Sequence, residues 1–343
     1  MHKLDRRTML RTSVLMGSAA LLGTRAIRPA WAADARTLTL YNGQHAHTTA
    51  ALVDAFTKAT KIRVEIRKGS SSQLANQIIE EGARSPADVF YSEESPPVVK
   101  LAKKGLLARV DPKTLKQIQP GYESREGDWL GISARCRVIA YNKSLVKESE
   151  LPKSVLDMAS PQWKGKVAFV PSSGSFQEQI VAIAQLKSRD AALRWLENLK
   201  KYGVIYNGNM AAMKAVERGE VATALINNYY WFVVAQEVGA KNMHSALYYT
   251  GDKDPGALVT VSAAGILKSS KKQALAQQLL AFMVSAPGQT AIADSVAEYP
   301  LRPGIKSPYA IKPFDELDPP PITPADLGDA ADALILRREA GLA

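Results

Sequence analysis

The stretch "ALINNYYWFVV", Ala224 to Val234, places two phenols and two amides at one point of the chain. Neighbours on a continuous helix point about 100° apart, so Tyr229 and Tyr230 can converge only at a helix start or turn. Asn227 and Asn228 read as N-cap residues of a helix built on "WFVVA", which sets both tyrosines in its first turn. A phenolate is a hard, anionic oxygen donor. A trivalent cation such as Fe³⁺ favours phenolates, carboxylates and an imidazole over thiolates. An ordinary tyrosine titrates near ~10, so binding must displace its proton, which only a highly charged ion does well. The matching partners are His45 in "YNGQHAH" and Glu93 in "YSEES", with His47 and Glu94 as neighbouring rivals. Two phenolates, one carboxylate and an uncharged imidazole neutralise one trivalent cation and leave room for a small anion. Taken singly, each residue also has a plain reading: rings closing a cleft, His45 as a helix cap, Glu93 as a solvated or capping carboxylate.

A second constellation is "PSSGSF", which follows the strand-like "KVAFV" and leads into "FQEQIVAIAQL". A Ser-Ser-Gly-Ser turn at a helix start offers free backbone N–H groups, hydroxyls and the positive dipole end, a set that suits an anion. Capping by Ser173 or Ser175 alone explains the same residues. No phosphate-binding loop and no dinucleotide fingerprint occurs anywhere in the chain.

The elements that must position these residues alternate. "TLTLY" predicts a strand, "HTTAALVDAFTKAT" a helix, "KIRVEIRKG" a strand, "SSQLANQIIEEGARS" a helix and "ADVFYSE" a buried strand. A second block begins near Gly131 with "GISARCRVIAYNKSLV" and repeats the pattern, and "PGALVTVSAAGILKSS" is a later strand followed by two helices. This predicts an α/β architecture with mostly parallel sheets, in which sites lie just past the carboxyl ends of strands. Two such blocks joined by crossovers make two lobes and a cleft that closes on a small ligand. The Pro319–Pro321 run reads as an extended surface crossing, and no repeat is present.

Of the 343 residues, 46% are hydrophobic, enough for a sizeable core. The formal charge of +11 falls to +6 (38 basic, 32 acidic) without the first 33 residues. The surplus is dispersed, not massed with stacking aromatics, so a nucleic-acid partner is not expected. Residues 1–33 read as an export signal. Arg6-Arg7 followed by an apolar Ser13–Gly23 core resembles a twin-arginine signal, though an ordinary secretory signal fits the same residues. Cys136 is the single cysteine; it excludes internal disulfides and reads as a small core residue.

Together, "LYNGQH", "SPADVFYSEE", "VPSSGSFQEQ", "ALINNYYW", "DPGALVTVSAAGILK" and "AEYPLR" resemble, in order and spacing, the bacterial periplasmic ferric iron-binding proteins, transferrin-like solute receptors of ABC iron importers. The resemblance runs from about Leu38 to Pro303. It implies a type II periplasmic binding protein fold, with residues 34–134 and 259–311 in one lobe and 135–258 and 312–343 in the other. It implies Fe³⁺ held by His45, Glu93, Tyr229 and Tyr230. A synergistic anion, phosphate or carbonate, would rest on Ser173, Gly174, Ser175, Asn209 and Asn227. The implied partner is an inner-membrane permease, and the implied state a soluble periplasmic monomer. Glu94 stands where the family often has glutamine, and Ser175 where alanine is common. Some relatives hold carbonate with an arginine, which makes Arg135 and Arg137 alternates. A receptor for a phosphonate, a polyamine or thiamine would share the fold without needing this donor set. A twin-arginine-exported enzyme would need a catalytic constellation, and none is found.

Overall fold

The computed structural model describes residues 36–342; the expected export signal lies outside the described residues. The strands are β1 (Thr37–Asn42), β2 (Arg63–Lys68), β3 (Val89–Ser92), β4 (Leu107–Ala108), β5 (Trp129–Asn142), β6 (Val167–Phe169), β7 (Val204–Ile205), β8 (Thr223–Asn227), β9 (Ser245–Tyr248), β10 (Val259–Leu267) and β11 (Tyr299–Pro300). They join in the order β2-β1-β3-β10-β5-β8-β6-β7, with β4 on β10 and with β9 and β11 on β5.

Within each half the pairing is parallel, as the alternation of strand and helix requires: β2 with β1 with β3, and β7 with β6 with β8. The expectation of mostly parallel sheets fails at the centre. There β10 pairs antiparallel with β3 and β5, and β5 antiparallel with β8. The reason is β5 itself, whose 14 residues are all buried. Its first part, to Cys136, pairs with β10, and its second part, from Arg137, pairs with β8. One strand thus serves both halves. A strand that carries the chain from one half to the other runs against its neighbours, and periodicity alone does not reveal that direction.

Helices cover both faces because the strands between them are apolar on both sides. Leu52, Phe56 and Leu279 pack with Leu38, Leu40 and Val261 in one half. Phe176, Ile180, Trp195 and Leu336 pack with Phe169 and Leu225 in the other. Cys136 is fully buried and its thiol is pushed up to about 12 by burial, as a small core residue should be. Among the described residues no helix is long and apolar enough to cross a membrane.

Candidate functional site

Four helix starts bring the expected residues together. His45 immediately precedes the helix Ala46–Thr60, just past β1, and Glu94 precedes the helix Ser95–Lys103, with Glu93 between it and β3. Ser173 precedes the helix Gly174–Leu186, and Asn228 precedes the helix Tyr229–Val238 directly after β8. Asn209 opens a fifth helix, Asn209–Glu217, behind Gly208. The tyrosines occupy the first turn of theirs, as expected from the sequence.

The side chains form one unbroken chain of contacts. His45 Nε2 lies 3.7 Å from Glu93 Oε1, and the Tyr229 hydroxyl donates to the same oxygen at 3.0 Å. The His45 and Tyr229 rings meet edge to face at 5.1 Å, and those of Tyr229 and Tyr230 lie 4.2 Å apart. Asn209 Nδ2 donates to the Tyr230 hydroxyl at 3.2 Å and to Ser173 Oγ at 2.9 Å, and Ser173 and Ser175 hydroxyls are 3.1 Å apart. Arg137 closes the chain by donating from Nη1 to Ser175 Oγ and to Asn227 Oδ1. A cavity of about 550 Å³ opens between these elements, walled by Glu93, Tyr230, Asn209, Asn227 and the Ser173–Ser175 turn. His45 and Tyr229 are not on its wall; they meet it through Glu93.

The rivals separate. His47 stacks on His45 at 5.9 Å but lines a different, smaller cavity with Phe232 and Tyr309. Glu94 lays its carboxyl against the first residue of the serine-turn helix: a Cβ on Gly174 would meet its Cδ at 2.7 Å. Only glycine accommodates that approach.

The plain capping readings do not hold. Neither His45, Glu94, Ser173 nor Asn228 caps its helix through a side-chain hydrogen bond. The expectation that Asn227 and Asn228 cap the tyrosine helix is therefore corrected. Asn227 ends β8 and accepts from Arg137, while Asn228 accepts from Cys136 N at 3.0 Å and donates to Ala297 O at 2.9 Å. Asn227 is thus tied to β5, and Asn228 to β5 and to the segment before β11, which leaves the Asn227 amide with its oxygen toward the guanidinium.

Electrostatics are set by burial. Tyr229 is held well above the usual phenol range by burial, then by Tyr230 and Glu93, and Tyr230 is pushed up to about 12 by burial and by Glu93. Both are protonated phenols in the absence of a cation. Arg135 offsets part of this and lies in a buried ion pair with Glu298 at 3.1 Å. Its Nη1, buried and without a hydrogen-bond partner, belongs to a side chain on the cavity wall. Arg137 spends five hydrogen bonds on Ser175, Asn227, Gln179 and the Leu225 carbonyl, so it frames the serine turn. Among the described residues no group of three or more His, Cys, Asp and Glu side chains is placed to hold a metal ion; the donors at this site are one imidazole, one carboxylate and phenols.

Sequence reading missed Glu178, which is fully buried one turn into the serine-turn helix. The available signal was a carboxylate next to an amide, Glu178 and Gln179, directly before the apolar run at residues 180–184.

The model of the bacterial extracellular solute-binding protein family matches residues 51–315. The chain is 43% identical to the major ferric iron-binding protein of Neisseria meningitidis, covering 89% of this chain and 93% of that protein. It is 40% identical to the Fe(3+)-binding periplasmic protein of Serratia marcescens, covering 89% and 90%. It superposes on iron-bound HitA from Pseudomonas aeruginosa with a TM-score of 0.87 at 56% identity, covering 89% of this chain and 99% of that one. The fold is that of a type II periplasmic binding protein, with two α/β lobes about a cleft. The chain belongs to the bacterial extracellular solute-binding proteins, among the periplasmic ferric iron-binding proteins.

Proposed function

We propose that this protein binds Fe³⁺ in the periplasm together with a small anion and delivers it to an ABC-type importer, with His45, Glu93, Tyr229 and Tyr230 as the metal's ligands. The observation that carries the reading is the convergence of one imidazole, one carboxylate and two phenols from three separate helix starts. His45 Nε2 is shielded from solvent without a hydrogen-bond partner, as a donor kept for a cation should be. Phenols held this far above neutrality bind only an ion able to displace their protons, which favours a trivalent cation.

The anion would rest on Ser173, Gly174, Ser175, Asn209 and Asn227, where a helix start presents unclaimed N–H groups. Phosphate and carbonate both fit such a cradle. The lobes would divide as 34–134 with 259–311 against 135–258 with 312–343, turning about β5 and β10. The tyrosine lobe would take the metal first, and closure would add His45 and Glu93. The role is binding, with the permease as partner and the exported monomer as the working form; twin-arginine export is part of the same proposal.

A visible spectrum and metal analysis of the purified mature protein, with and without ferric iron and phosphate, tests it. The expected result is one iron per chain and a phenolate-to-iron charge-transfer band that fades as pH falls from 8 to 5. A colourless protein, or one whose affinity is flat over that range, overturns the reading.

A further inference from the structure

The helix Ser95–Lys103 begins two residues after Glu93 and receives no side-chain cap from Glu94, the residue before it. Its first residue is served from elsewhere. Ser95 Oγ donates to Glu178 Oε1 at 3.1 Å, and its backbone N–H also faces that carboxylate. Both residues are 0% exposed. Glu178 sits one turn into the helix whose start is the serine turn, so its bonds to Ser95 fasten the Glu93 turn to the anion cradle. The other carboxylate oxygen, Oε2, is buried without a hydrogen-bond partner, and the residue lines the cavity together with Arg135 and Thr260. A buried carboxylate between two helix starts is costly unless its position matters. Hydrophobic packing would have joined these helices without it.

We propose that Glu178 is a positioning residue that makes iron affinity depend on the bound anion, by tying the turn that carries Glu93 to the helix on which the anion sits. The inference rests on the ferric-site reading above. An anion that orders the start of the Gly174–Leu186 helix thereby holds Ser95, and with it Glu93, in place for the metal. Without the tie, the anion and Glu93 act independently.

The test measures iron affinity by competition with a hydroxamate chelator, with and without inorganic phosphate, in the wild type, Ser95→Ala, Glu178→Leu and Glu178→Gln. Ser95→Ala and Glu178→Leu are expected to cut the gain conferred by phosphate about tenfold, the scale of one hydrogen bond to a charged group. The charge-transfer maximum should stay in place, because no ligand has changed. Glu178→Gln, whose amide oxygen accepts the same bond, should recover most of the gain. Ser95→Ala removes a single hydroxyl and keeps the result readable should Glu178→Leu fail to fold. Equal weakening with and without phosphate, or none, overturns the inference while leaving the ferric site standing; a wild type with no band removes the site on which the inference depends.

Discussion

Helix starts at the cleft and helix starts away from it are built differently. Ser188 and Ser285 cap their own helices through their side chains, and so does Thr323. Ser173, equally able to cap, instead shares its hydroxyl with Ser175 and Asn209. His45, Glu94, Gly208 and Asn228 leave their helix starts uncapped too. Ser70, on the cavity rim, does cap, so the rule follows the contact chain rather than the cavity. Lys272 also leaves its helix without a side-chain cap, so an open start is not by itself a site; under the proposed reading, the open starts joined in the contact chain would serve a ligand.

Four substitutions probe that contrast. Tyr229→Phe and Tyr230→Phe should each weaken iron binding by more than about 100-fold, since each removes an anionic donor worth several kcal/mol to a trivalent ion. Both should abolish or shift the visible band; retained colour in both single variants would show that the tyrosine start is an aromatic cleft edge. Next, Ser173→Ala should lower the phosphate-dependent affinity about tenfold and leave urea stability within about 0.5 kcal/mol, because no cap is lost. Ser188→Ala should do the reverse, losing about 1 kcal/mol of stability with iron affinity unchanged. A stability loss in Ser173→Ala as large as in Ser188→Ala would erase the distinction.

Gly174→Ala sharpens it further at smaller scale. The new Cβ meets the Glu94 carboxyl, which must move, so iron affinity should fall a few-fold by competition assay. Glu94→Ala in the same protein should restore it, and no restoration would mean that the obstruction lies elsewhere.

Much of this was legible in the sequence, and for physical reasons. Alternating polar and apolar residues predicted the strands found as β1 and β2, and helical spacing predicted the helices found as Ala46–Thr60 and Ser71–Glu81, because local patterning decides those elements. The His45, Glu93, Ser173 and Tyr229 turns stood out because strand ends in such folds carry chemistry, and the structure gathers them. Three things were not legible. The antiparallel run of β5 depends on which half each end joins, a long-range fact. The partners of Asn228 lie at Cys136 and Ala297, far away in the chain, so local reasoning took it for a cap. Glu178 was hidden because its partner Ser95 lies 83 residues earlier.

Arg135 and Arg137 stand two residues apart on β5, on one face of the strand, yet they are anchored in opposite directions. Arg135 is pinned to Glu298, whose carboxylate also holds Ser133, while Arg137 is pinned to the serine turn and β8. The two guanidinia thus face different partners across Cys136, at the point where the pairing of β5 passes from β10 to β8. The cradle framed by Arg137 is held together by hydrogen bonds within one stretch of the chain, so under the proposed reading an anion would meet a finished receptor. On the same reading the metal would meet one whose last parts, His45 and Glu93, arrive only with closure.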